Sequence, residues 1–207
     1  MLRILIVILG VALFGILHSV MASLGFKRKL VEIIGEKIAF YRLFYNLFST
    51  IIFFSVLALI PKMGQIVYRI PSPYGLIVFA LQALAFFGLI WTAKSFDVWE
   101  FIGIKQILRY IKGEYNVEEL DESPDFRISG AFKCCRHPAY FFSILFIGLR
   151  PEMDVTYLTL FIAGTIYFLI GAYFEEKKLV KIYGKVYAEY QKKVPMFLPV
   201  FFFTKRK

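Results

Sequence analysis

Long apolar runs separated by short polar segments set the outline of this chain. A membrane-spanning helix needs about 20 consecutive, mostly apolar residues. Leu2 to Ala22, Leu43 to Ile60, Tyr74 to Thr92 and Thr156 to Phe174 meet that requirement. Ala139 to Leu149 is equally apolar but only eleven residues long. As a helix it reaches about 17 Å, short of a hydrocarbon layer of roughly 30 Å. It either extends backward through Phe132–His137 or stops part-way, and counts as a fifth, irregular span. From Glu175 to Lys193 the pattern changes: Leu179, Tyr183, Val186, Tyr187 and Tyr190 recur at spacings of three and four, with lysines over much of the other face. That is a basic amphipathic helix, suited to lying on an anionic leaflet. Val194 to Phe203 is apolar again, but Pro195 and Pro199 break it before it can span. Ser95 to Phe101 reads as an interfacial piece with aromatic anchors, and Glu114 to Asp125 as an acidic turn-like segment ending at Ser123-Pro124. The expected fold is all-α and integral to the membrane. About five transmembrane helices precede a cytosolic amphipathic C-terminal helix. Residues 1–207 form one membrane domain, with a three-helix part at 1–94 and a helical hairpin plus tail at 126–199.

Composition agrees: 59% of residues are hydrophobic and the mean hydropathy is +0.66, against about 45–50% apolar in soluble domains. The net charge of +10 would raise nucleic acid as a partner for a soluble protein. Here the cations fall between apolar runs, so orientation explains them and no nucleic-acid partner is expected. With five spans and the N-terminus outside, Arg3, Lys62, Arg69 and Arg150 face outward, and the other 21 of the 25 Lys and Arg residues face the cytosol. Basic loops stay inside, so the N-terminus is expected out and the C-terminus in. Val20-Met21-Ala22 imitates a signal-peptide cleavage site, but Lys27-Arg28-Lys29 follows at once and resists translocation, which favours a retained first helix. Cys134 and Cys135 are adjacent, so they do not staple the fold, and they are too few for a four-ligand zinc site. No metal is expected.

Polar groups inside spans are costly and are functional candidates by default. His18, Ser19, Asn46, Ser49 and Thr92 all lie near the expected cytosolic ends, which suggests a pocket opening into that half of the bilayer. His18 either pairs with a neighbouring helix or lines a substrate pocket. Asn46 and mid-membrane Gln82 read as interhelical glue. The densest chemistry lies in Ser129 to Tyr140. Pro138 suits the first turn of a helix, which places Arg136 and His137 beside unpaired backbone donors where an anion such as a carboxylate binds. Glu175-Glu176 ends the last apolar run, where a helix C-terminus disfavours carboxylates and a cation is expected nearby. An anion site and a cation site at one interface match a zwitterionic, cationic ligand.

Arg136-His137-Pro138, followed by Glu175-Glu176, Leu179, Tyr183-Gly184, Tyr187, Tyr190 and Val194-Pro195, resembles the C-terminal signature of the isoprenylcysteine carboxyl methyltransferase-like superfamily, which includes phospholipid N-methyltransferases. His18-Ser19-Val20-Met21-Ala22, Phe26-Lys27, Ser95-Phe96-Asp97, Phe101 to Gln106 and Arg150-Pro151-Glu152-Met153 look like methanethiol S-methyltransferases and their NnrU-like relatives. The resemblance covers roughly His18 to Pro199. It implies a membrane methyltransferase using S-adenosylmethionine in a pocket made by the last two spans and the tail, within 126–199, facing the cytosol. It implies that His137, Pro138, Ala139 and Tyr140 line the cofactor with Arg136 beside them, that Glu175 holds its cationic part and that Glu176 supports it. Phe132 stands where the superfamily usually has a cofactor-contacting Tyr. Glu176 and His18 are the catalytic candidates, His18 for positioning the acceptor or taking its proton. The acceptor is expected to be a small thiol or lipophilic molecule reached from the membrane lipids; Arg150 departs from the thiol-methylating pattern. An isoprenylcysteine carboxylate or phospholipid amine as acceptor, and a non-enzymatic NnrU-like accessory role, are the alternatives.

Overall fold

The structure is a computed structural model and describes residues 1–120 and 128–199. The turn expected at Ser123-Pro124 and the tail beyond Pro199 lie outside the described residues. In chain order the described residues form α1 (Leu2–Ala22), α2 (Leu24–Ile34), α3 (Tyr41–Leu59), β1 (Ile66–Arg69), α4 (Tyr74–Ala93), α5 (Val98–Ile102), α6 (Ile104–Ile111), α7 (Pro138–Gly148), β2 (Glu152–Asp154), α8 (Val155–Tyr183) and α9 (Lys185–Lys193). Short 3-10 turns occupy Gly35–Phe40, Val117–Glu119 and Gly130–Lys133.

Four helical stretches, Leu2–Ala22, Leu24–Leu59, Tyr74–Ala93 and Val155–Tyr183, are long and apolar enough to cross a membrane. That is the make-up of a multi-pass membrane protein. Their outward side chains fit the same solvent: Phe44, Leu47, Ile51 and Phe54 of α3 are each more than half exposed, a stripe that a soluble surface would not carry. The fifth apolar run is an eleven-residue helix and not a long one. Phe132–His137 does not lengthen it, because Gly130–Lys133 is a 3-10 turn and Pro138 starts α7. The continuous tail helix expected from Glu175 to Lys193 is also corrected. α8 runs on to Tyr183, and Gly184 at φ +56° breaks the chain before α9. A residue with a Cβ is strained there, so the helix turns where glycine permits it. The all-α expectation needs one amendment, a two-stranded antiparallel ribbon pairing Ile66 with Asp154, Tyr68 with Met153 and Arg69 with Glu152.

The chain divides into two compact units. The first comprises Met1–Ile8, Pro61–Phe96 and Arg127–Lys207. Within it, α4 packs on α7 through a glycine: a Cβ on Gly88 would lie 2.3 Å from the Phe142 ring. Gly148 admits Phe161 of α8 in the same way, a Cβ there meeting the ring at 2.6 Å. Gln82 acts as the expected glue, its Nε2 donating to the Phe146 carbonyl at 2.8 Å. Asp154 caps α8 by accepting from the Tyr157 amide at 2.9 Å. The second unit comprises Leu9–Ile60 and Asp97–Phe126. Its core is Ile38, Tyr41 and Leu120, with Met21, Leu24 and Tyr45 among the side chains packed on it. The interfacial piece becomes α5, capped by Asp97 through the Glu100 amide at 3.0 Å and ended by Gly103 at φ +106°. Asn46 bonds the carbonyls of Phe101 and Ile102 at 2.9 and 3.1 Å. Its partner is thus the backbone of the interfacial helix, not another span.

Candidate functional site

The first unit holds a carboxylate buried among donors. Glu176 sits within α8, more than a turn before its end, so the carboxylate pair does not lie at a helix C-terminus and the dipole argument for it falls away. Adjacent helical residues point about 100° apart. Glu176 faces inward with its side chain 9% exposed, and Glu175 faces outward at 44%.

Three groups converge on Glu176 Oε1: Arg136 Nε at 2.8 Å, His137 Nε2 at 2.9 Å and the Tyr187 hydroxyl, which donates at 2.9 Å. Gln191 Nε2 donates to Oε2. A charged group in so dry a place is tolerable when paired and fully hydrogen-bonded. Arg136 is committed as well. Its Nη1 donates to the carbonyls of Gln191 at 2.9 Å and Val194 at 2.8 Å. The sequence placed Arg136 as an open anion site; the structure turns its guanidinium inward against Glu176 and the tail backbone. The Arg136 and His137 amides then donate to Pro195 O at 2.9 Å and Met196 O at 3.0 Å. The Arg-His-Pro segment and the stretch after α9 are therefore joined by both side-chain and backbone bonds.

Pro138 begins α7 as expected, with His137 as the residue preceding the helix. His137 also joins the hub to a row of stacked rings. The His137 and Tyr140 rings stack at 5.3 Å and 9°, and Tyr140 stacks on Phe168 at 5.1 Å. The Tyr140 hydroxyl donates to Glu175 Oε2 at 2.9 Å, and His137 Nδ1 is 3.6 Å from the same oxygen. Phe132 enters through its backbone, whose carbonyl accepts from the Tyr190 hydroxyl at 2.6 Å. Ala139 follows Pro138 in the first turn.

Tyr187, Tyr190 and Gln191 are the side chains of the buried hub that the sequence reading did not assign. The two tyrosines were counted as an apolar stripe, although a buried Tyr usually needs a partner for its hydroxyl. Burial first, then the negative charge of Glu176, raises the Tyr187 phenol above its ordinary value, so it stays a donor. Burial likewise raises Tyr190. Burial also pushes the Cys135 thiol up to about 12, and an un-ionised thiol is a poor nucleophile. No group of three or more potential metal ligands occurs among the described residues.

His18 belongs to the second unit. The Tyr45 hydroxyl lies 2.8 Å from its Nε2 and 3.1 Å from its Nδ1. The ring stands 5.4 Å from Phe14 and 5.1 Å from Tyr45 between centroids.

Over 199 residues the chain is 33% identical to the methanethiol S-methyltransferase of Pseudomonas deceptionensis, covering 96% of this chain and 73% of that protein. It is 30% identical over 190 residues to the methanethiol S-methyltransferase of Pseudomonas sp. strain GM41(2012), covering 91% of this chain and 70% of that one. The methanethiol S-methyltransferase of Mycobacterium tuberculosis strain H37Rv is 27% identical over 197 residues, covering 94% and 76%. No family model matches the chain, and no solved structure matches it.

Proposed function

The chain belongs to the methanethiol S-methyltransferase family, and from that premise we propose that it transfers the methyl group of S-adenosylmethionine to the sulfur of a small thiol at the cytosolic side of a membrane. The observation that carries the proposal is an outward carboxylate, Glu175, standing beside the stacked rings of His137, Tyr140 and Phe168.

The residues present fit the cofactor. Its cationic groups suit Glu175 and the faces of Tyr140 and Phe168. Its carboxylate suits the first turn of α7, at Pro138-Ala139-Tyr140, where helix amides lack intrahelical acceptors. Bound there, S-adenosylmethionine supplies an electrophilic methyl group. The protein's part is mainly positioning. Tyr140 holds the Glu175 carboxylate in place through its hydroxyl. Glu176 and Arg136 hold His137 and the tail around the same site, and the Phe132 carbonyl anchors Tyr190 beside them. A thiolate is the effective sulfur nucleophile, so the acceptor proton must leave; His18 positions the thiol or takes that proton.

The same reading sets the N-terminus outside and the C-terminus in the cytosol, with α7 as a fifth, incomplete span. What supports it is the charge balance: with α7 counted as a span, 21 of the 25 Lys and Arg residues fall on one side of the membrane.

Equilibrium binding of S-adenosylmethionine to the purified full chain tests the cofactor, and headspace chromatography of dimethyl sulfide formed from methanethiol tests the reaction. Saturable binding that disappears in the His137→Ala, Glu175→Ala double variant is expected. Binding that survives in that variant removes this site from the reading. A glycosylation acceptor placed after Lys62 is expected to be modified, and one in the tail is not; the reverse result inverts the topology.

A further inference from the structure

The second unit contains a narrow crevice walled by Phe14, Leu17, His18, Met21, Phe48, Ser49 and Ile52. The wall is apolar except for His18 and Ser49. Ser49 carries an anomaly. Its hydroxyl oxygen has no exposed surface and no hydrogen-bond partner. A serine or threonine within a helix either faces solvent or bonds back to the carbonyl one turn earlier. Three helical threonines here bond back: Thr50 to Asn46 O at 2.8 Å, Thr92 to Gly88 O at 2.9 Å and Thr159 to Val155 O at 2.7 Å. Ser49 does not. Thr165 on α8 shares the lack of a partner, but Ser49 lines a crevice that also holds an imidazole. An unsatisfied buried hydroxyl is costly and calls for an explanation.

A small thiol answers it. Sulfur accepts weakly from a hydroxyl, an S–H donates weakly, and sulfur packs well against aromatic rings. Phe14 and Phe48 supply those rings, and Met21 is flexible enough to admit an occupant. The crevice as it stands is closed around its own side chains, so entry requires a rotamer change at its wall. The wall holds no charged side chain unless His18 is protonated, which argues against a carboxylate or a lipid headgroup.

We propose that this crevice is the acceptor site, taking a short neutral alkyl thiol with its sulfur toward the Ser49 hydroxyl and the His18–Tyr45 pair. The proposal rests on the methyltransferase reading for the identity of the ligand, but its test does not depend on turnover. Phe14 and Phe48 then limit the length of the alkyl group.

The probe is 2,2,2-trifluoroethanethiol, observed by fluorine NMR on the full chain in detergent micelles. Saturable line broadening is expected with the natural sequence, and at least tenfold weaker binding with Ser49→Leu, which fills the crevice. In turnover, Ser49→Leu is expected to raise the KM for methanethiol at least tenfold while the Kd for S-adenosylmethionine stays within twofold. Phe14→Ala is expected to shift the kcat/KM ratio of propanethiol to methanethiol upward by at least tenfold. Should Ser49→Leu not fold, Ser49→Ala and Phe14→Ala carry the same comparisons. Thiol KM and chain-length preference unchanged within twofold in these variants would overturn the proposal, as would absence of saturable broadening in an active enzyme. A chain that binds no S-adenosylmethionine but shows Ser49-dependent thiol binding upholds the crevice and refutes the activity reading instead.

Discussion

Replacing Glu176 with glutamine keeps the shape of the buried hub and removes its charge. Four donors surround the carboxylate: Arg136, His137, Tyr187 and Gln191. Glutamine presents an NH2 group where one oxygen stood. Either it faces the Gln191 amide, two donors together, or it faces the Arg136 side. In both cases Arg136, only 12% exposed at its side chain, keeps a cation without a counter-charge. Breaking a buried pair from one side costs about 3–5 kcal/mol. Glu175 is the internal control. Its side chain is 44% exposed, and Glu175→Gln should cost under about 1 kcal/mol of stability, in the range of solvent-screened ion pairs. Unfolding titrations in mixed micelles, followed by tryptophan fluorescence, give the two differences. Binding should order the variants differently: Glu175→Gln weakens S-adenosylmethionine in a protein of nearly natural stability, whereas Glu176→Gln loses binding and stability together. The double variant Arg136→Met, Glu176→Gln should be more stable than Glu176→Gln alone, since no charge is then stranded. A Glu176→Gln protein within 1 kcal/mol of the natural sequence would refute the account of the hub.

Three further expectations follow from the same packing. Free tyrosine ionises near pH 10; with the folded values of Tyr187 and Tyr190 raised, the unfolded state loses its phenolic protons first, so their contribution to stability is intact below about pH 10 and falls as pH rises further. Phenolate absorbance should then show at least two of the thirteen tyrosines ionising only as the protein unfolds, and complete titration of all of them in the folded state would contradict this. Cys135, 1% exposed and with its thiol raised to about 12, should resist iodoacetamide at pH 8 until denaturant is added; mass spectrometry showing early labelling at that residue would count against its burial. Gly88→Ala should cost about 1–3 kcal/mol by overpacking, because its Cβ would lie 2.3 Å from the Phe142 ring; Phe142→Leu in the same chain should restore part of the loss, measured by the same unfolding titration.

Span positions were readable because hydrocarbon imposes a length and a polarity that few soluble segments satisfy. α1, α3 and α4 begin and end within two residues of the apolar runs that predicted them. α8 was read correctly at its start and not at its end, since hydropathy changes at Glu175 while helix geometry does not. Nothing in Lys177, Lys178 or Lys181 stops a helix; Gly184 does. The ribbon was invisible for a different reason. Ile66–Arg69 and Glu152–Asp154 are four and three residues long and far apart in the chain, too short for any period to register.

The candidate site shows a deeper asymmetry between what a chain lists and what a fold assigns. Arg136, His137, Glu175 and Glu176 could all be named from their residue types, yet their roles divided along a line no local pattern contains. Two carboxylates side by side on a helix face about 100° apart, so they meet different surroundings, and here one is buried and one outward. The choice depends on Arg136, forty positions earlier, and on Tyr187 and Gln191, eleven and fifteen positions later. Those residues also explain why α9 is amphipathic in an unusual way. Its inward face carries hydroxyls and an amide that must be spent on a charge and on a carbonyl, where leucine would bury as much surface and leave both unsatisfied. Tyrosine at Tyr187 and Tyr190 is therefore dictated by the polar groups it meets. The segment from Tyr187 to Met196 is thus a constituent of the candidate site, tied to the Arg-His-Pro segment through the carboxylate that the sequence had placed at a helix end.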